Sequence, residues 1–317
     1  LQKKNFPPIE FIVPGLLAPG LTILCGAPKV GKSWMALDLA SSIATGGKFL
    51  ESIPVPQHDV LALCLEDSQR RLQQRLDALG LRSPWPPGLT FATERSPGDI
   101  VGQIASHLDS RSDTKLVVID TLAKVRPSAR PGQGAYQEDY FFAGRLQGLA
   151  IERDVAIVAV HHDRKQGAND FIDSVSGTHG LTGAADCVLL LTRERASKDA
   201  LLMMTGRDIE SEDPWQLRRQ GARWSMAGTV DSRTFAATNG LGEDAGKVVA
   251  FVNHAAGPVT PSQVADGLDL TAKQAADALR RLTATGRLVK PARGLYASPD
   301  HGGRAVPSDL CDLANSG

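Results

Sequence analysis

The residues Gly26-Ala27-Pro28-Lys29-Val30-Gly31-Lys32-Ser33 place two glycines, a lysine and a hydroxyl at the spacing Gly-x-x-x-x-Gly-Lys-Ser. Glycines let backbone N–H groups curl around phosphate oxygens, a helix N-terminus adds positive potential, and Lys32 supplies a point charge to the β- and γ-phosphates. Ser33 offers a hydroxyl to Mg²⁺. The segment 26–34, closed by Trp34, therefore reads as a nucleoside-triphosphate site that takes ATP with Mg²⁺. Asp120 ends the apolar run Leu116-Val117-Val118-Ile119, where a carboxylate is placed to hold the metal through water. Glu66-Asp67 ends another apolar run, Val60 to Leu65. Glu66 is the preferred general base for a water attacking the γ-phosphate; Asp67 is the alternative, or caps the helix starting near Gln69. His161-His162 follows the run Ala156 to Val160. A polar side chain there can touch the γ-phosphate and report its loss. Adjacent strand residues point to opposite faces, so this His pair is not a metal site.

These groups need a scaffold that brings several strand ends to one edge. Short apolar runs at Leu21–Cys25, Val60–Leu65, Lys115–Ile119, Ala156–Val160, Cys187–Leu191 and Leu201–Met204 are predicted strands. Helical patterns at Lys32–Thr45, Gln69–Leu79, Gly98–Ser110 and Glu138–Arg153 alternate with them. The order predicts an α/β fold with a mostly parallel sheet covered on both faces, which makes the strands apolar throughout. The phosphate segment then follows a strand and opens a helix, as its chemistry requires.

Length supports one large and one small domain: 317 residues, expected to divide into 1–237, a small Gly-bearing linker 238–244, a second domain 245–298 and a mobile tail 299–317. In the second domain, helical patterns at Ala245–Ala255, Pro261–Gly267 and Thr271–Thr285 precede a hairpin pattern, Leu288–Ala297. Lys+Arg and Asp+Glu both total 35, so net charge does not advertise a nucleic-acid partner and local clusters must supply any such binding. Cys25, Cys64, Cys187 and Cys311 form no Cys-x-x-Cys pair, and the first three, in or beside apolar runs, read as core thiols. With no charged-then-apolar leader and no run long enough to span a bilayer, a cytoplasmic protein without membrane contact is expected.

Five motifs in order carry a family resemblance over Phe11 to Gly228. They are Val13-Pro14-Gly15-Leu16-Leu17 ahead of the phosphate segment, Leu65-Glu66-Asp67 with Arg70-Arg71-Leu72, Val118-Ile119-Asp120-Thr121-Leu122, Val160-His161-His162, and Ser176-Gly177-Thr178-His179-Gly180-Leu181 followed by Ala185 to Leu190. The chain resembles the RecA-like ATPases of the DnaB and RepA helicase group, most closely the RepA-like set of phages and plasmids. The resemblance implies that Glu66 is the catalytic glutamate and His162 the γ-phosphate sensor. It also implies ATP sites between subunits of a homo-oligomeric ring, commonly a hexamer, with single-stranded DNA in a central pore and a role in replicating a mobile element. In DnaB-like members a Lys-x-Arg pair reaches the neighbour's ATP site; here Thr205-Gly206-Arg207 stands there, leaving Arg207 as the finger. The pore loops after Leu122 and His162 hold Arg126 and Arg130, then Arg164 and Lys165 mixed with Asp163, Asp170 and Asp173. The segment 245–298 resembles a winged helix, with Thr271–Thr285 as recognition helix and Leu288–Ala297 as wing. Lys273, Arg280, Arg281, Arg287, Lys290 and Arg293 could contact duplex DNA there.

Overall fold

A computed structural model describes residues 8–94, 99–126, 135–162, 179–193, 197–230 and 243–299. The chain divides into two compact units, Leu1–Thr229 and Val230–Gly317.

The first unit is built on a nine-stranded sheet in the order β11-β10-β9-β8-β1-β7-β6-β4-β5. Its strands are β1 (Gly20–Cys25), β4 (Asp59–Cys64), β5 (Leu89–Ala92), β6 (Thr114–Asp120), β7 (Ala156–Val160), β8 (Cys187–Arg193), β9 (Asp199–Gly206), β10 (Trp215–Gln220) and β11 (Arg223–Thr229). A separate small ribbon pairs β2 (Lys48–Phe49) with β3 (Ile53–Pro54). From β5 through β8 every pairing is parallel, and β9, β10 and β11 continue the sheet antiparallel. Strands β1 and β7 are buried at every residue, as expected of parallel strands covered on both faces. The mostly parallel α/β architecture expected from the sequence is present, with β5, β10 and β11 added to it.

Helices of this unit are α1 (Lys32–Thr45), α2 (Gln69–Ala78), α3 (Ile100–Ser110), α4 (Leu122–Val125), α5 (Ala135–Glu152) and α6 (His179–Ala184). Helix α1 is buried along most of its length and packs in the main core with β1, β4 and β7 residues. It stops where Gly46 takes a left-handed conformation, φ 64°, that costs glycine little. Ser68, not Asp67, caps α2: its side chain accepts from the Arg71 N–H.

The second unit holds α7 (Glu243–His254), α8 (Pro261–Leu268), α9 (Ala272–Ala284) and the hairpin β12 (Val289–Ala292) with β13 (Leu295–Ala297). Thr260 with Gln263 and Thr271 with Gln274 form capping boxes that start α8 and α9. A second core of Val248, Val252, Val264, Leu279, Leu282 and Tyr296 joins helices to hairpin. This is a winged-helix arrangement, with α9 preceding the wing. The tail from 300 onward, most of the linker, Arg130, Arg164, Lys165, Asp163, Asp170, Asp173, Cys311 and Ser176 to Thr178 lie outside the described residues.

Candidate active site

The phosphate segment leaves β1 and enters α1 through backbone conformations suited to glycine: Gly26 has φ 146° and Gly31 φ 119°. Gly31 also has no room for a side chain, since a Cβ there would stand 2.7 Å from the Trp224 ring. No side chain caps the start of α1, which leaves the helix N-terminus to an external anion. Lys32 is buried, and its Nζ donates to the carbonyls of Gly26 (2.6 Å) and Ala27 (3.0 Å). The ammonium is thereby held over the mouth of the loop.

The parallel strands bring β4, β6 and β7 to the same edge as this loop. Asp120, at the end of β6, is only 4% exposed, and its Oδ1 has no hydrogen-bond partner. Burial pushes its pKa up; a hydrogen bond from Ser33 opposes this, and the charges of Glu66 and Asp67 add to the rise. A buried carboxylate in such surroundings calls for a cation. Ser33 and Asp120 are thus brought together with an orphaned carboxylate oxygen beside them, a donor set of hard oxygens that fits Mg²⁺.

Glu66 and Asp67 are adjacent in sequence but differently engaged. Asp67 is buried and ion-paired with Arg75 at 2.6 Å and with Arg71 at 3.6 Å. Glu66 is half-exposed; its Oε1 accepts from the Thr121 hydroxyl at 3.0 Å, and its Oε2 stands 3.7 Å from His162 Nε2. Sequence reasoning missed Thr121, which orients the carboxylate. His161, the other member of the pair, donates its backbone N–H to Leu24, holding this edge against β1.

Arg207 is elsewhere. Gly206 pairs with Cys187 at the start of β8, whereas the phosphate loop lies at the finishing end of the parallel strands. Seven residues of β8 separate those edges, about 20 Å at the usual rise per residue. Arg207 is 64% exposed and contacts Asp186 at 3.0 Å, on the carboxylate oxygen that also accepts from Gln147. Arg126 is engaged within the chain by the buried Asp139. In the second unit, Arg280 pairs with Asp277, and Lys290 lies 5.8 Å from the Tyr296 ring centroid. Cys25, Cys64 and Cys187 are buried; burial pushes the thiols of Cys64 and Cys187 up to about 12. Among the described residues, no helix is long and apolar enough to cross a membrane.

Residues 1–168 match the family described as AAA domain, and residues 248–299 match the family described as transcriptional regulator, AbiEi antitoxin. Among solved structures, one described as an ATPase domain is similar at 13% identity and a TM-score of 0.50, over 65% of this chain and 84% of that one. A DnaB-like replicative helicase, solved with attention to its interactions with primase, is similar at 13% identity and a TM-score of 0.51, over 65% of this chain. The match spans 58% of that helicase chain. At such identities the likeness is one of fold, and it is RecA-like.

Proposed function

Because the chain belongs to the AAA domain family and is a P-loop ATPase with a winged-helix unit, we propose that it is an ATP-hydrolysing DNA helicase or translocase of the DnaB/RepA-like type, serving replication of a mobile element. The observation that carries this reading is that the hydrolytic groups are gathered at one edge of the sheet while the candidate finger, Arg207, stands at the other. An arginine side chain cannot bridge about 20 Å, so Arg207 can act only on the site of another subunit. A homo-oligomeric ring, probed as a hexamer, satisfies that requirement.

Within one subunit, the loop 26–34 receives the phosphates of ATP, and Lys32 exchanges its carbonyl partners for phosphate oxygens. Ser33 and Asp120 would hold Mg²⁺, which supplies positive charge against the β- and γ-phosphate oxygens. Glu66, oriented by Thr121, accepts the proton of the attacking water. Asp67 is committed to Arg75, which supports Glu66 over it as the base. His162, beside Glu66, is suited to sense the γ-phosphate and pass its loss to the segment that follows. DNA partners are single strands in the pore and duplex at α9 and the wing, where Lys273, Arg281 and Arg293 are exposed.

A second reading, a RecA-like ATPase that acts on DNA as a regulatory or assembly switch without unwinding, draws on two observations. Arg126 is neutralised by Asp139 instead of facing a pore, and the winged helix matches a family of transcriptional regulators. Strand displacement on a forked duplex with ATP, with Lys32→Ala as control, separates the two. Displacement by wild type alone supports the helicase; ATP hydrolysis and DNA binding without displacement support the switch.

A further inference from the structure

The end of β8 and the β10–β11 hairpin approach the phosphate loop with side chains that have no part in the mechanism above. Arg193, the last residue of β8, donates through Nε to the Val30 carbonyl (3.2 Å) and through Nη2 to the Lys29 carbonyl (3.2 Å). Its Nη1 donates to the Ser197 carbonyl (2.8 Å), which fixes the guanidinium in place. Trp224, fully buried on β11, donates its indole N–H to the Gly31 carbonyl (3.4 Å). Three successive carbonyls, those of Lys29, Val30 and Gly31, are therefore held by side chains far away in sequence.

These peptide bonds are trans, so the N–H groups of Gly31 and Lys32 point opposite to the Val30 and Gly31 carbonyls. Fixing the carbonyls aims those N–H groups away from Arg193 and Trp224, to the side on which a phosphate is cradled. A cation on a carbonyl also polarises the amide, which strengthens the N–H at its other end as a donor. Charge points the same way. Neither Arg193 nor Arg219 has a carboxylate within ion-pairing distance among the described residues; Arg219 instead lies 5.7 Å from the Trp34 ring and 5.8 Å from the Trp224 ring. Burial pushes the Arg219 pKa down, with further repulsion from Arg193 and Arg75. Among the described residues, no carboxylate within ion-pairing distance offsets the Arg193 and Arg219 charges that stand behind the loop.

We propose that Arg193 is a positioning residue for nucleotide binding, which holds the Lys29 and Val30 carbonyls so that the loop is preorganised for phosphate and adds charge that a polyphosphate offsets. The inference rests on the reading of Gly26 to Ser33 as the nucleotide site. It is tested on the full chain with Arg193→Met, Arg193→Lys and Lys32→Ala, by titration calorimetry with Mg-ADP and Mg-ATP at several salt concentrations, and by kcat at saturating ATP.

Arg193→Met should raise Kd about 10- to 100-fold, the scale of charge-assisted hydrogen bonds, while kcat at saturation changes less than about threefold. Arg193→Lys should fall between Met and wild type, since it keeps the charge and loses the two-carbonyl fork. The salt dependence of Kd should weaken in the Met variant and persist in the Lys variant, a split that lost packing alone would not produce. If Arg193→Met does not fold, Arg193→Lys decides: weaker binding at unchanged kcat supports the inference, and wild-type Kd overturns it. Lys32→Ala losing binding while Arg193→Met binds like wild type overturns this inference alone. Wild-type binding by Lys32→Ala overturns the nucleotide-site reading as well.

Discussion

Replacing Asp38 with Asn should make the stability of the ATPase unit less dependent on pH, by an amount set by the burial of that carboxyl. Asp38 lies inside α1, 1% exposed, and neither of its oxygens has a hydrogen-bond partner. Desolvation pushes its pKa up from 3.8 to about 6; Arg223, whose Nε is 3.8 Å away, opposes the rise, and Glu51 adds to it. The unfolded chain titrates near the ordinary value, so between 3.8 and about 6 the native state binds more protons and stability falls as pH rises. The contribution is fully present below 3.8 and lost above about 6. That displacement corresponds to about 3 kcal/mol in all, of which about 2 kcal/mol falls between about pH 4.5 and about pH 8. Asn has the same shape and no charge, and the cost of its own buried amide does not vary with pH, so it cancels from the pH trend. The measurement is urea unfolding followed by tryptophan fluorescence. Trp34, Trp85, Trp215 and Trp224 all belong to the first unit, so the signal excludes the winged helix. The stability difference, Asn variant minus wild type, should rise by about 2 kcal/mol from the lower pH to the higher. A difference constant to within about 0.5 kcal/mol would mean that Asp38 ionises at its ordinary pKa, and would refute the role assigned to its desolvation.

Glu66→Gln should bind ATP and lose hydrolysis by about a hundredfold or more, whereas Asp67→Asn should retain turnover per folded molecule and lose about 3–5 kcal/mol of stability, having broken a buried pair with Arg75. Paired denaturation and single-turnover assays check this, and the reverse pattern would make Asp67 the base. Arg207→Ala should bind ATP but not hydrolyse it in the assembled protein, with a stability change of about 1 kcal/mol because the guanidinium is mostly exposed and the buried Asp186 keeps its hydrogen bonds from Gln147 and the Leu21 N–H. Mixing it with Lys32→Ala subunits should restore some turnover, and specific activity of wild type should climb with protein concentration; flat activity from a persistent monomer would remove the ring. Gly31→Ala should cost at least about 2 kcal/mol and abolish nucleotide binding, since the new methyl meets the Trp224 ring in a backbone conformation unfavourable to alanine; calorimetric titration of a folded variant with wild-type Kd would contradict it.

The central sheet was legible because parallel strands buried on both faces leave a nearly uninterrupted apolar signature. The predicted bounds of α1, Lys32–Thr45, and of β7, Ala156–Val160, are those observed. Strand β10, Trp-Gln-Leu-Arg-Arg-Gln, carries only one buried residue, so no apolar run announces it. Strand β5 is short and mostly half-buried. In the site, Ser33, Asp120, Glu66 and His162 were placed by a single topological fact, that parallel strands deliver their C-terminal ends to one crevice. Asp67 was harder, because its pairing depends on Arg75 reaching back along α2 while Ser68 takes the cap. Arg193 and Trp224 left no local signal at all: their partners are main-chain carbonyls, which every sequence offers everywhere.

The position of β1 between β7 and β8 bears on how the chain is made. The phosphate loop leaves the ribosome well before β8 does, and β1 acquires its second neighbour only when Cys187 to Arg193 has been synthesised. A piece ending near residue 168, where the AAA-domain match stops, would present β1 as an unpaired apolar edge of six buried residues. Such an edge recruits other strands, including those of neighbouring nascent chains. The matched segment therefore lacks the strand that flanks β1 on its second side, and expression trials bounded by it should yield aggregates, while pieces that run through Thr229 retain the strands that close the sheet.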